Sequence, residues 1–399
     1  MKQSPIVVVG TGQCGFKAIE TLRHSGYHDQ LIFIGDEQYI PYQRPPLSKA
    51  FLRGDIAEHS MKLTSPVFFD DFEIETLFST KVTSMDANAH TIYLDNGERL
   101  HYSKLLLALG SRPRTLDIPG ASLEGVHFLR TLDDAKFLSA ELNSGDHTIL
   151  IIGGGYTGLE VAASLRMRGH NITLIESSDR ILSRVVSPSV SYFFEDLHKH
   201  HGVRILKCTI PTCFLGDQRI SAVELSSGEI IECDTILVCI GNVPEVGLAI
   251  SAGLEVGDGI RVNTFCQTSA TDVFAAGDCA SFPSWRYGRN IRLESVQNAI
   301  DQGKAASNAM LGKPTHYDPL PWFWSNQYNV RLQIAGLSNG YDRMEIEKGK
   351  HPGSFSVQYF RAGQMICTDS INNTRAYMQA RQSLELSLQY RTERNISSD

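Results

Sequence analysis

Two distant stretches of the chain repeat one order of apolar and polar positions. Ile6-Val7-Val8-Val9 is an apolar run that leads into Gly10-Thr11-Gly12-Gln13-Cys14-Gly15 and then into helical periodicity through Arg23. A second apolar run, Leu31-Ile32-Phe33-Ile34, ends at Gly35-Asp36-Glu37. The same order returns as Thr148-Ile149-Leu150-Ile151-Ile152, then Gly153-Gly154-Gly155-Tyr156-Thr157-Gly158. A helix is expected there from Leu159 to about Met167, followed by Asn171-Ile172-Thr173-Leu174-Ile175 and Glu176. Short apolar runs broken by glycine and followed by helical spacing predict strand-loop-helix-strand units, the repeating element of doubly wound α/β domains. From about Pro321 the texture changes. The cluster Pro321-Trp322-Phe323-Trp324 and the alternating run Phe355-Ser356-Val357-Gln358-Tyr359 predict an α+β region.

Both glycine loops carry the G-x-G-x-x-G spacing. The first glycine permits the tight turn, the second lets backbone approach a pyrophosphate, and the third lets helix pack against strand. The helix N-terminus offers free N–H groups and the positive end of its dipole. An acid closing the next strand takes the ribose hydroxyls, and it is expected about 20 residues on. Asp36 and Glu176 stand there. One such loop is weak evidence; two in the right strand and helix context imply two bound dinucleotides. Glu176 also selects between nucleotides, because a 2′-phosphate would meet its carboxylate, and Ser177, Ser178 and Asp179 supply no cation. NADH is therefore expected, with Arg180 or Arg184 reaching back to a 2′-phosphate as the alternative.

Composition narrows the rest. The 399 residues are 42% apolar and 20% charged, enough for two or three domains with sizeable cores. A net charge of −7 removes a global basic footprint for nucleic acid. No apolar run approaches a membrane span, and the first strand begins too early for a signal peptide, so the expected location is cytoplasmic. Eight scattered cysteines suit a reducing compartment. Cys208 and Cys213 have the C-x4-C spacing of a redox dithiol, but they follow the second loop rather than the first. His198, His200 and His201 are read as a solvated helix terminus and not as a metal site.

Further segments carry a family resemblance. They are Pro41-Tyr42-Gln43-Arg44-Pro45-Pro46-Leu47-Ser48-Lys49, Leu106-Leu107-Ala108-Leu109-Gly110-Ser111-Arg112-Pro113, Ile240-Gly241-Asn242-Val243-Pro244, Thr268-Ser269 with Ala276-Gly277-Asp278-Cys279, and Trp322-Phe323-Trp324-Ser325-Asn326-Gln327-Tyr328. With the two loops, they make the chain resemble the FAD-dependent NADH:ferredoxin reductases of bacterial oxygenase systems over nearly its whole length. The resemblance implies a glutathione-reductase-like α/β fold of two Rossmann-like domains and an α+β interface domain. An FAD domain of residues 1–112 and 244–320 would be interrupted by an NADH domain of residues 113–243, with the interface domain at 321–399.

It also implies roles by position. FAD would meet Gly10, Gly12, Cys14 and Gly15 in its pyrophosphate loop and Asp36 at the adenosine ribose. Arg44, Pro45, Val82, Ala108, Gly110, Arg130, Gly277, Val296 and Trp324 would add contacts, with Asp278 at the ribityl chain and Lys49 beside flavin N5. The nicotinamide dinucleotide would meet Gly153, Gly155, Tyr156, Thr157, Gly158, Glu176, Arg184, Gly241 and Glu294, and Glu160 would partner Lys49. Leu109 stands where relatives carry threonine, and Ile19 where they carry a small residue, an expected slight loosening of helix packing. Cys14 and Cys279 are expected near FAD as packing residues. The implied activity is hydride transfer from NADH to flavin N5, then single electrons to a [2Fe–2S] ferredoxin feeding an oxygenase. A basic docking face is expected among Arg286, Arg289, Arg292, Lys304 and Lys313, with Trp324 as an aromatic contact. A reductase of a small acceptor such as a quinone or monodehydroascorbate, and a signalling flavoprotein like apoptosis-inducing factor, are the alternatives.

Overall fold

A computed structural model describes residues 4–396, with side chains described through 386 except that of Ser144. The chain folds into two compact units. The first holds the chain through Gln43, Met61–Arg112 and Val243–Pro321; the second holds Arg44–Ser60, Pro113–Asn242 and the chain from Trp322 onward. The segment 44–60, expected in the first domain, packs within the second unit. Leu52 is fully buried in that unit's core, and its carbonyl accepts from Arg168 Nη1 at 3.0 Å.

The core of the first unit is a parallel sheet ordered Val273–Ala275, Lys104–Leu107, Ile6–Val9, Leu31–Ile34, Ile74–Leu77. All four residues of Ile6–Val9 and of Leu31–Ile34 are buried, as strands covered on both faces require. The helices Gln13–His24 and Val296–Met310 pack on each other, and Ser307 Oγ donates to Ala18 O at 3.1 Å. Ile19 is fully buried on the first of these helices.

The second unit repeats the plan. Its parallel sheet runs Arg204–Leu206, Asn171–Ile175, Thr148–Ile152, Thr235–Val238, Val126–His127. In both sheets the glycine loop leaves the carboxyl end of the central strand. One side of that strand carries the next strands in sequence and the other a returning strand, so the loop sits at the switch point where such sheets bind ligands. The second helix begins at Tyr156, three residues before the expected Leu159, because Gly155 already serves as its N-cap.

From Trp322 onward an antiparallel sheet of five strands carries the helix Thr374–Ile396. Asp369 lies inside this sheet, 1% exposed. It accepts from the Tyr359 hydroxyl, which in turn accepts from Ser187 N at 3.0 Å. The other oxygen, Oδ1, has no partner among the described residues, and burial pushes the carboxyl up to about 7. No described helix is long and apolar enough to cross a membrane.

Candidate functional site

The first loop is shaped by close approaches that leave no room for side chains. Gly10 has φ +112°, and a Cβ there would lie 2.2 Å from Ala108 O; one on Gly15 would lie 1.9 Å from Gly10 O. At Gly12, by contrast, no described atom comes within 4 Å of a Cβ position. The helix Gln13–His24 starts at Gly12 without a side-chain cap and without an acid in its first turn. Cys14 is buried, its Sγ 3.3 Å from the Cβ position of Gly277, and burial pushes its thiol up, so it packs as a small neutral group. Gly277 N donates to Gln302 Oε1 at 2.8 Å, a buried glutamine that no sequence motif marks. Asp278 accepts from Ser111 Oγ at 3.1 Å. Val82 is buried at the start of the strand Val82–Asp86, and Val296 is half-buried as the first residue of its helix. Gly110 accepts from Glu245 N at 3.0 Å.

The acid after the strand is placed one residue later here than in the second loop. Gly35 occupies the position that Glu176 takes there, since Gly10 N and Gly153 N donate to the residues just before, Ile34 O and Ile175 O. A Cβ on Gly35 would meet Thr11 Oγ1 at 2.2 Å, so the acid follows as the exposed Asp36. Glu37 accepts from the Tyr42 hydroxyl at 2.5 Å.

The second loop reproduces the first. Gly153 has φ +109° with Cys239 O at 2.3 Å from its Cβ position, and Gly158 faces Gly153 O at 2.0 Å. Gly155 is open, and the helix Tyr156–Met167 is again uncapped, with no acid in its first turn. Thr157 is exposed in that turn, while Tyr156 packs against Phe323 with ring centroids 4.6 Å apart. Glu176 is pinned at the loop, Oε2 accepting from Gly154 N at 2.7 Å and Oε1 from Ser178 N at 2.8 Å. Arg180 gives its guanidinium to Val186 O and Ser183 O, which commits it to the backbone. Arg184 is exposed and reaches to 3.7 Å from the Cβ position of Gly241. Glu294, expected with this loop's ligand, belongs to the first unit and pairs with Arg292 at 2.5 Å.

Glu160 lies one helical turn beyond this loop and is 5% exposed. A carboxylate so buried needs partners on both oxygens. Oε2 accepts from Lys49 Nζ and from Ser48 Oγ at 2.7 Å, and Oε1 accepts from Ser325 Oγ at 2.7 Å. Lys49 Nζ also donates to Pro45 O at 3.2 Å, and Ser164 Oγ donates to Ser48 O at 2.8 Å, which fixes the 45–49 turn on the helix. Arg44 Nη1 donates to Arg130 O at 2.7 Å, bringing together two of the expected residues. Trp324, half-buried on the strand Trp322–Gln327, sits near Trp322.

The family model for pyridine nucleotide-disulphide oxidoreductases matches residues 4–303, and the model named Reductase C-terminal matches 322–396. The chain belongs to the pyridine nucleotide-disulphide oxidoreductase family. It is 38% identical to rhodocoxin reductase of Rhodococcus erythropolis over 395 residues, 99% of this chain and 92% of that one. It is 37% identical to putidaredoxin reductase of Pseudomonas putida, covering 94% and 90%. Among solved structures, the covalent putidaredoxin reductase–putidaredoxin complex matches with a TM-score of 0.92 at 36% identity, covering 96% and 93%. Members of this family use FAD and NAD(P)H.

The residues fit those groups. Two uncapped helix N-termini, each free of acids and each beside a glycine with open space, are what a pyrophosphate requires. The dithiol implied by the family name has no counterpart at Lys49. All eight cysteines are free; Cys208 is exposed in a turn and Cys213 lies on the strand Pro211–Gly216. Two expectations are corrected. His198 is fully buried and bonded to Gln327 Oε1, so only His200 and His201 form the exposed helix end. Arg292 is bound by Asp258, Glu294 and the Asp278 carbonyl, which neutralises it as a docking cation. Arg289, Lys304 and Lys313 are exposed, Arg286 is half-buried, and beside it Trp285 is 78% exposed.

Proposed function

We propose that the chain is a cytoplasmic NADH:ferredoxin reductase serving an oxygenase. One NADH and two oxidised [2Fe–2S] ferredoxins give NAD⁺, one proton and two reduced ferredoxins. The observation that carries this reading is the Lys49–Glu160 ion pair, whose lysine stands on a segment, 44–60, that contains no cysteine. Its family context points the same way, since two relatives 38–39% identical over 94–95% of this chain are named ferredoxin reductases and a third, 37% identical, putidaredoxin reductase. Bound FAD would supply the hydride-accepting and single-electron chemistry. The protein's part is placement. Gly10–Gly15 with Asp36 and Asp278 would hold FAD, and Gly153–Gly158 with Glu176 and Arg184 would hold NADH. Lys49, paired with Glu160, would set the charge beside flavin N5. The domain division proposed is FAD 1–112 and 244–320, NADH 113–243 and interface 321–399. Anaerobic titration tests the stoichiometry: two equivalents of ferredoxin should be reduced per NADH, and a chain that reduces only a two-electron quinone acceptor would overturn the reading.

Glu176 should set nucleotide choice. Its carboxylate already holds two backbone N–H groups at the loop, so a 2′-phosphate would meet a fixed negative charge. NADH should be preferred to NADPH by about a hundredfold in kcat/KM, and Glu176→Ala should collapse the preference to about tenfold or less, mainly through KM for NADH. Equal use of both nucleotides by the unaltered protein contradicts this.

The docking face proposed for ferredoxin keeps Arg286, Arg289, Lys304 and Lys313. Because the whole chain is acidic, attraction must come from local charge. Arg289→Glu with Lys304→Glu should slow association with ferredoxin about tenfold at low salt, leave flavin reduction by NADH unchanged, and lose most of its effect at high salt. Stopped-flow at two ionic strengths reads this out.

A further inference from the structure

We infer that His198 and Gln327 are positioning residues for the Lys49–Glu160 pair, acting through Ser325. This rests on the reading that Lys49 serves the flavin. The hydrogen bonds run in one line. Ser325 Oγ donates to Glu160 Oε1 at 2.7 Å, Gln327 Nε2 donates to Ser325 Oγ at 3.2 Å, and Gln327 Oε1 lies 2.9 Å from His198 Nε2. The Tyr328 hydroxyl lies 3.4 Å from His198 Nδ1, and Tyr328 stacks on His201 with centroids 3.7 Å apart. Ser325 and His198 are fully buried and Gln327 is 1% exposed, so water does not substitute for any member.

The carboxylate sets the direction of the whole line. An ionised carboxylate only accepts, so Ser325 must spend its single proton on Glu160. Its oxygen is then an acceptor, which turns the Gln327 amide nitrogen toward it and the amide oxygen toward His198. His198 must therefore carry its proton on Nε2 and leave Nδ1 to accept from Tyr328. The opposite polarity would turn the Ser325 proton toward Gln327 and leave Glu160 Oε1 buried without a donor. Burial pushes the imidazole down to about 4, which keeps the ring neutral with a single N–H. A line of bonds pointing one way polarises each member in turn and strengthens the last donation. With Oε1 satisfied, the Lys49 ammonium stays on Oε2 between Ser48 and the Pro45 carbonyl. Without the donor, Oε1 draws the ammonium across and away from that position.

The test uses the FAD-loaded protein. Imidazole ¹⁵N NMR should show His198 as the neutral Nε2–H tautomer; an Nδ1–H tautomer or a protonated ring at neutral pH overturns the inference. Gln327→Met and His198→Phe should lower the flavin midpoint potential in the direction of Lys49→Met. They should also slow hydride transfer about tenfold, with KM for NADH unchanged, and His198→Gln should restore much of both. If Lys49→Met shifts the potential while Gln327→Met and His198→Phe leave it alone, the positioning role is wrong. If Lys49→Met itself leaves the potential unmoved, the reading of Lys49 has failed instead. Should His198→Phe not fold, Gln327→Met and the NMR tautomer decide the matter.

Discussion

Lys49→Met will slow reduction of the bound flavin by NADH about a hundredfold, the loss typical of removing one preorganised charge from a reacting centre. It will also destabilise the second unit by about 3–5 kcal/mol, because Glu160 is then a buried carboxylate without its cation. The side chain of Glu160 is only 7% exposed, and the hydroxyls of Ser48 and Ser325 cannot replace a charge. The two effects separate. Adding Glu160→Gln to Lys49→Met gives the hydroxyls a neutral amide to bond, and thermal unfolding should recover most of the lost stability. The rate should stay low. A double variant that regains the rate along with the stability would mean that Lys49 is structural only.

Asp369 should take about 4 kcal/mol from stability as pH rises from about 4 to 7. The sign follows from the direction of the shift. Burial raises the carboxyl in the folded state from 3.8 to about 7, while the unfolded chain keeps the ordinary value. Below pH 4 both states hold the proton and Asp369 contributes nothing. Between 4 and 7 only the folded state holds it, so each unit of pH rise favours unfolding by about 1.4 kcal/mol. Above 7 both are ionised and the loss levels off, with a charge buried on Asp369 and Oδ1 lacking a partner among the described residues. Asp369→Asn keeps an acceptor for the Tyr359 hydroxyl and cannot ionise. The difference in denaturant midpoint between the two proteins should grow through this window and favour the variant at pH 8. A difference that is flat from pH 5 to 8 would show that Asp369 does not titrate there.

The dinucleotide loops were legible because their constraints are local. Gly10 and Gly153 are forced by carbonyls a few ångströms away, and the strands flanking them are apolar enough to be read directly. Lys49 and Glu160 were legible only through family resemblance, since 111 positions separate them. The rest of the site was not visible. Ser48, Ser325, Gln327 and His198 meet because the strand Trp322–Gln327 packs near the helix Tyr156–Met167, and periodicity says nothing about that. One signal was available. Val190, Phe194 and His198 recur every fourth residue on the buried face of the helix Pro188–His200, which sets His198 apart from its exposed neighbours. Arg292 misleads for the opposite reason, as the partners that neutralise it, Asp258 and Glu294, include one 34 positions away.

On the proposed function, electrons leave singly to a ferredoxin. Cytochrome c reduction by NADH, measured with and without a [2Fe–2S] ferredoxin, tests it most directly. The rate should be low with the flavoprotein alone and should rise steeply and saturate as ferredoxin is added. Equal rates with and without ferredoxin would contradict it.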